Sequence, residues 1–206
     1  IGSAQNGAIT LNGAITTDGV ITIDGPITLA TAAITITTAD DNINLQGTVD
    51  GGKALTLASG SGAVTVDGAI GGSTALTSLT VNSAGAGTIE INNIGTSSAA
   101  GVTGATAIGN TSTGLLTFDG TVYNTNAATY TAATGENIDL TGGATTTFTS
   151  SNDDITFGTA TVEMGNGSSL VIDTDTLGGA INLSAGVMGT SSENITLTAG
   201  TGTVAI

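Results

Sequence analysis

The chain has 206 residues, of which 33 are Gly and 42 are Thr, and its 16 acids face a single base, Lys53, for a net charge of -15. One Lys cannot neutralise a run of phosphates, so nucleic-acid binding is excluded. The lack of His, Arg and Cys excludes Ser-His-Asp and Cys-His catalysis, zinc sites built on Cys or His, and disulfide staples.

The predicted elements are short strands. No apolar stripe at a spacing of three to four is sustained, so no helix is expected. Apolar-polar-apolar triplets recur instead: Ile9-Thr10-Leu11, Ile21-Thr22-Ile23, Ile34-Thr35-Ile36, Ile43-Asn44-Leu45, Leu55-Thr56-Leu57, Val64-Thr65-Val66, Leu79-Thr80-Val81 and Ile89-Glu90-Ile91. Each is bounded by Gly, Asn, Asp or Ser, which is the strand-and-turn signal. With 39% hydrophobic residues and a mean hydropathy of +0.35, the chain is not of disordered composition. No apolar run approaches the length of a membrane-spanning helix, and no membrane insertion is expected. The chain opens on Ile1 without a basic, apolar leader, and reads as a processed product or a piece of something longer.

The triplets that lead into a polar residue and a turn begin at Ile21, Ile43, Val64, Ile89, Leu116, Ile138, Ala160, Ile181 and Val204, a period near 22. The residue three after each start is polar: Asp24, Gln46, Asp67, Asn92, Asp119, Thr141, Glu163 and Ser184. A second apolar site follows at Ile27, Val49, Ile70, Ile94, Val122 and Val187. A third triplet follows at Ile34, Leu55, Leu79 and Ile195. Three short strands per period describe one coil of a parallel β-solenoid, in which each strand pairs with its counterpart one coil away. The fold expected is therefore all-β: one continuous solenoid over residues 1–206, with about nine coils of about 22 residues and longer loops near 71–78 and 95–114.

Side chains alternate across a strand, so each triplet sends two apolar residues inward and one polar residue outward. The predicted inner column runs Ile21/Ile23, Ile43/Leu45, Val64/Val66, Ile89/Ile91, Leu116/Phe118, Ile138/Leu140, Ala160/Val162, Ile181/Leu183 and Val204/Ile206. Its outer partners include Thr22, Asn44, Thr65, Glu90, Thr117 and Asp139. Acids and amides alternate along the corner from Asp24 to Asp119, which spaces like charges and lets amides share ladder hydrogen bonds. A longer echo is present too. Residues 55–66 align without gaps on 195–206, and Ile43-Asn44-Leu45 matches Ile181-Asn182-Leu183, as in one and a half copies of a six-coil module (43–66 and 181–206).

The string Gly62-Ala63-Val64-Thr65-Val66-Asp67-Gly68-Ala69-Ile70-Gly71-Gly72, with Leu76-Thr77-Ser78-Leu79-Thr80-Val81, resembles units of very large secreted bacterial surface proteins. These are the β-strand-repeat and filamentous-haemagglutinin-like proteins. The resemblance implies export, a right-handed β-helical shaft, and a role in adhesion, filaments or cell-surface layers. It transfers no functional residue.

Catalytic residues are not expected. Hydrolases on β-helices use clustered carboxylates. The acid pairs here, Asp40-Asp41, Asp153-Asp154 and Asp173/Asp175, sit in Asn/Asp/Ser contexts that read as solvated turns. The five aromatics, Phe118, Tyr123, Tyr130, Phe148 and Phe157, form no sugar platform in sequence. Asp50-Gly51-Gly52 and Asp67-Gly68 are fragments of a calcium β-roll motif, not the motif. No specific metal site or cofactor is assigned; weak Ca2+ binding between acidic surfaces of neighbouring subunits is the milder expectation. An ice-binding Thr-x-Thr face is interrupted: Thr35/Thr37 and Thr145/Thr147 are sporadic. The sequons at Asn110, Asn166 and Asn194 are short enough to arise by chance in so Thr- and Ser-rich a chain.

The chain ends at Val204-Ala205-Ile206 in mid-strand with no cap. Further solenoid is expected at both ends, from a longer chain or from head-to-tail self-association into a filament. The expected role is a non-enzymatic, acidic, extracellular or cell-surface structural protein. The alternative is the passenger segment of a surface adhesin or surface-layer protein, binding glycan or host or cell partners through its loops. With Lys53 as its only tryptic site, such a fibre would also resist trypsin-like proteases.

Overall fold

The computed structural model describes residues 7–31, 33–82 and 87–206. It is a parallel β-solenoid of about eight turns with about 24 residues per turn, and no helix occurs among the described residues. Every ladder between named strands is parallel, because each strand meets its counterpart one turn later in the same direction.

Three faces recur in fixed order. The first begins at Ile9–Leu11, Ile27–Leu29 and Val49–Asp50, then thins to single bridges at Ile70 and Ile94. It resumes at Val122–Asn124, Thr145–Thr149, Ser169–Asp173 and Asn194–Thr198. The second holds nine strands, from Ile15–Thr17 and Ala33–Thr38 to Ile181–Leu183 and Val204–Ala205. The third holds eight, from Ile21–Ile23 through Val64–Val66 and Asn137–Leu140 to Thr161–Met164 and Val187–Met188. Their inward side chains meet along one axis. Ile21, Ile23, Ile43, Leu45, Val64 and Val66 stack on the third face, while Ile34, Ile36, Leu55, Leu57, Leu79 and Val81 stack on the second, all buried.

The predicted column holds from Ile21 to Leu140 and then departs from the structure. On the third face Ile138 pairs with Val162 and Leu140 with Met164, so the inward pair is Val162/Met164 rather than Ala160/Val162. Ile181/Leu183 and Val204/Ile206 were expected next in that column. Ile181–Leu183 and Val204–Ala205 instead belong to the second face, where Ile155 pairs with Ile181 and Ile181 with Val204. The inward residue at the second apolar site of the fifth period is Tyr123, not Val122. Val187 lies on the third face and Ile195 on the first. All these triplets look alike, so a steady period of 22 slides from one face to another once turns lengthen. A slip of two residues keeps the alternation in phase, as from Ala160 to Val162, whereas a slip of one reverses it, as from Val122 to Tyr123. The aligned strings 55–66 and 195–206 consequently occupy different faces. Residues 95–114 are not one excursion: Val102 bridges Leu76 and Thr125, and Thr106–Ile108 is a second-face strand.

Corners are closed by two devices. One is glycine stacked on glycine: a Cβ at Gly47 would stand 2.4 Å from the Gly25 carbonyl group, and one at Gly68 would stand 2.2 Å from that of Gly47. The other is a buried hydroxyl that donates to a carbonyl across the turn. Ser59 Oγ bonds the Gly62 carbonyl at 2.6 Å, Thr174 Oγ1 bonds that of Gly179 at 2.7 Å, and Ser150 Oγ bonds that of Asp153. These bonds satisfy backbone oxygens that the ladder leaves over.

All five aromatic side chains of the protein converge in the later turns. Phe118 from the third face, Tyr123 and Phe148 from the first, and Tyr130 and Phe157 from the second form one buried cluster with ring centroids 4.6–5.4 Å apart. Tyr123 stays polar at its tip: its hydroxyl donates to the Ile91 carbonyl at 2.9 Å and accepts from the Gly120 amide at 2.7 Å. Burial pushes the Tyr123 hydroxyl far above the ordinary phenol range. The rings are core, which removes them as a sugar-stacking surface.

Candidate acidic cleft on the third face

In the first two of the acid pairs singled out in the sequence, one acid clamps its turn to the next. Asp40 Oδ1 accepts from the amide and hydroxyl of Ser61, each at 2.9 Å. Asp154 Oδ1 accepts from the Ala180 amide at 2.7 Å. Asp50 Oδ1 takes the amides of both Ser73 and Thr74 at 2.8 Å, so the Asp-Gly-Gly fragment is a turn clamp. Amides do the same work. Asn93 Oδ1 accepts from Thr121 and Val122, and Asn42 Oδ1 from Ala63. In each case a side-chain oxygen caps amides one turn onward, the Asx-turn logic stretched across a solenoid step. Asp173 instead caps Asp175 within its own turn, and both line an open groove of about 410 Å³ with Ser97, Ser98 and Thr149. The three pairs are not brought together. Thr35/Thr37 and Thr145/Thr147 lie on different faces, so they make no single Thr array.

Acids do gather on the third face. Outward Glu90 sits near Asp67 and Asp119 at the adjoining corner. Burial, then Asp119 and Asp67, raise the Glu90 carboxyl above its ordinary range. Asp119 is raised by burial and also by Asp67. Farther along, Asp139 and Glu163 are direct partners in the parallel ladder, about 4.8 Å apart along the axis. Burial first, and Glu163 second, raise the Asp139 carboxyl. The Asn137 side-chain amide donates to Glu163 Oε2. These two acids border a cleft of about 500 Å³ shared with Thr141, Asn166 and Ser168. Among the described residues, no three His, Cys, Asp or Glu side chains come together in a metal-holding group.

The sequence reading missed this pair because it placed Glu163 at a corner. The signal was present: Val162-Glu163-Met164 is itself an apolar-polar-apolar triplet, and it sets Glu163 in the column of Asp139.

Raised carboxyls fix the sign of a pH dependence. The folded chain keeps protons on Glu90, Asp119 and Asp139 where the unfolded chain has lost them. Stability therefore falls as pH rises through a window that opens near the ordinary carboxylate range of about 4 and extends above it. Asp40 and Glu193 oppose this, being held low by hydrogen bonds from Ser61 and Ser191. Their contribution is lost only as pH drops below about 4, and their full exposure lets solvent screen it. We expect the melting temperature to be higher at pH 5 than at pH 8, by about 2–5 °C. Half-molar salt should shrink the difference. A thermal scan showing no rise toward pH 5 would mean that neither burial nor mutual repulsion keeps these carboxyls protonated in the folded state.

The fold and this surface define the class: an acidic β-solenoid repeat protein. Comparison with protein-family models, curated proteins and solved structures returned no match. No helix among the described residues is long and apolar enough to cross a membrane.

Proposed function

We propose that the protein is a non-enzymatic structural element, a β-solenoid segment of an extracellular filament, stalk or fibre on a cell surface, with turns stacking end to end. The observation that carries this reading is the ladder itself. Three parallel faces run from turn to turn over a continuous apolar axis, and Asp40, Asp50 and Asp154 each cap amides of the next turn. Such an array is rigid along its axis and extends by adding turns.

Head-to-tail stacking of copies, or continuation within a longer chain, belongs to the same reading. The resemblance in residues 62–81 to secreted bacterial repeat proteins supports placement outside the cell.

A second reading is a passenger segment of an adhesin or surface-layer protein. The groove lined by Ser97, Ser98, Asn124 and Asp173 favours it, since hydroxyls and a carboxylate suit a glycan or a polar peptide. Electron microscopy of the purified chain at rising concentration separates the two. Fibres of constant width are expected. Monodisperse monomers that bind glycans on an array would favour the passenger, and turnover of an acidic polysaccharide would overturn the non-enzymatic assignment.

A further inference from the structure

Asp139 and Glu163 project from adjacent rungs of one parallel ladder, in a chain that has one base in 206 residues. Asp139 Oδ1 is buried and meets no hydrogen-bond donor. Ser168, from the turn that follows Met164, lines the same cleft; it is 8% exposed, and its Oγ also lacks a partner. Two orphaned oxygens beside one cleft are unusual, because buried polar atoms in folded proteins nearly always find partners.

From this arrangement we propose an intramolecular site for a hard divalent cation, calcium, held by the Asp139 and Glu163 carboxylates with the Ser168 hydroxyl as a neutral oxygen ligand. Calcium takes oxygen ligands at about 2.3–2.6 Å. The ligand set suits calcium better than magnesium. It is all oxygen, it is spread over two rungs and a turn, and it has no rigid octahedral frame. Glu163 commits Oε2 to the Asn137 amide and keeps Oε1 for the ion. Thr141 and Asn166 border the cleft and can complete the shell together with water. Two charges rather than three or four place the affinity with extracellular modules, about 10⁻⁴–10⁻³ M. The ion would turn a repulsive contact between turns into a bridge.

The test uses the full chain, stripped of cations with a chelator and titrated with CaCl2 by calorimetry and by thermal unfolding, against MgCl2 and NaCl of matched ionic strength. Wild type should bind one equivalent of calcium, and its melting temperature should rise by about 3–5 °C at ten times the dissociation constant. Asp139→Asn and Glu163→Gln should each weaken binding at least ten-fold, and Ser168→Ala several-fold. Asp18→Asn, an equal charge change at an exposed turn away from the cleft, should bind as wild type does. Without calcium, Asp139→Asn should melt at or above wild type, because a like-charge contact is gone; with calcium the order should reverse. No saturable binding up to 10 mM would overturn the site. So would an equal calcium response in Asp139→Asn, which would mark diffuse screening of a surface of charge -15.

Discussion

Phe148→Ala is expected to lower stability by about 3–5 kcal/mol, the range for removing a fully buried aromatic from a core that cannot collapse around the gap. Phe148 is the hub of the aromatic cluster. It stacks on Tyr123 at 4.8 Å with the planes 17° apart, and it meets Phe118 and Phe157 edge to face at 5.1 and 5.0 Å. Edge-to-face pairs add about 0.5–1.5 kcal/mol each beyond burial. The rings come from all three faces, so the walls are held apart by backbone ladders and cannot close on the cavity. Phe148→Leu keeps most of the volume and should cost less than half as much. Hydrogen exchange is the appropriate readout beside thermal unfolding, since a stack of turns can open locally. Lost protection should centre on Val122–Asn124, Thr145–Thr149 and Ser169–Asp173. A loss of stability below about 1 kcal/mol would show that the cluster repacks freely.

Gly68→Ala should cost about 3 kcal/mol, at the upper end of overpacking effects, although it adds one methyl to a partly exposed turn. The backbone there does not need glycine for its dihedral angles; it needs the absence of a Cβ. An added Cβ would stand 2.2 Å from the carbonyl carbon and oxygen of Gly47 and 2.5 Å from the Thr48 nitrogen, all backbone atoms that no rotamer can move aside. Gly47 stands in the same relation to Gly25. Accommodating the methyl means prising two turns apart along the axis, against the ladder of the third face. Gly13→Ala is the control. A Cβ there meets nothing within 4 Å, and the change should stay within about 0.5 kcal/mol. Equal effects at Gly68 and Gly13, measured by urea unfolding, would mean that the corner stack is not the constraint.

Residues 21–140 show what could be read without coordinates. There the triplets and the polar corner coincide at intervals of 21 to 27 residues, and the structure pairs Ile21 with Ile43, Ile43 with Val64, and Leu116 with Ile138 as the spacing requires. Beyond Leu140 the spacing misleads. Ala160 and Val162 are both small and apolar, and both are buried, so either could start the triplet; the ladder chooses Val162 because Met164 then follows inward. Of the acid pairs conspicuous in sequence, Asp40 and Asp154 clamp the next turn and Asp173 caps its own. The pair that shares a cleft, Asp139 and Glu163, is 24 positions apart and becomes visible only when the register is right.

The glycine column had a sequence signal too, in Asp24-Gly25, Gln46-Gly47, Asp67-Gly68, Asp119-Gly120 and Thr141-Gly142. It follows the polar corner residue in five periods. Its meaning is steric, though, and depends on which turn lies beneath.

The sequence by itself determined that this chain is a β-solenoid with no His or Cys on which to build a site. Alternation of two, a period of three strands and a single base among 206 residues are local or compositional facts. Only the tertiary structure decided which face each strand joins, because strands as alike as Leu55-Thr56-Leu57 and Ile195-Thr196-Leu197 carry no face label of their own. Their place is set by the summed length of every turn before them. It also decided that five scattered aromatics form one core cluster and that two distant acids stand on neighbouring rungs, since both depend on the axial stacking of turns.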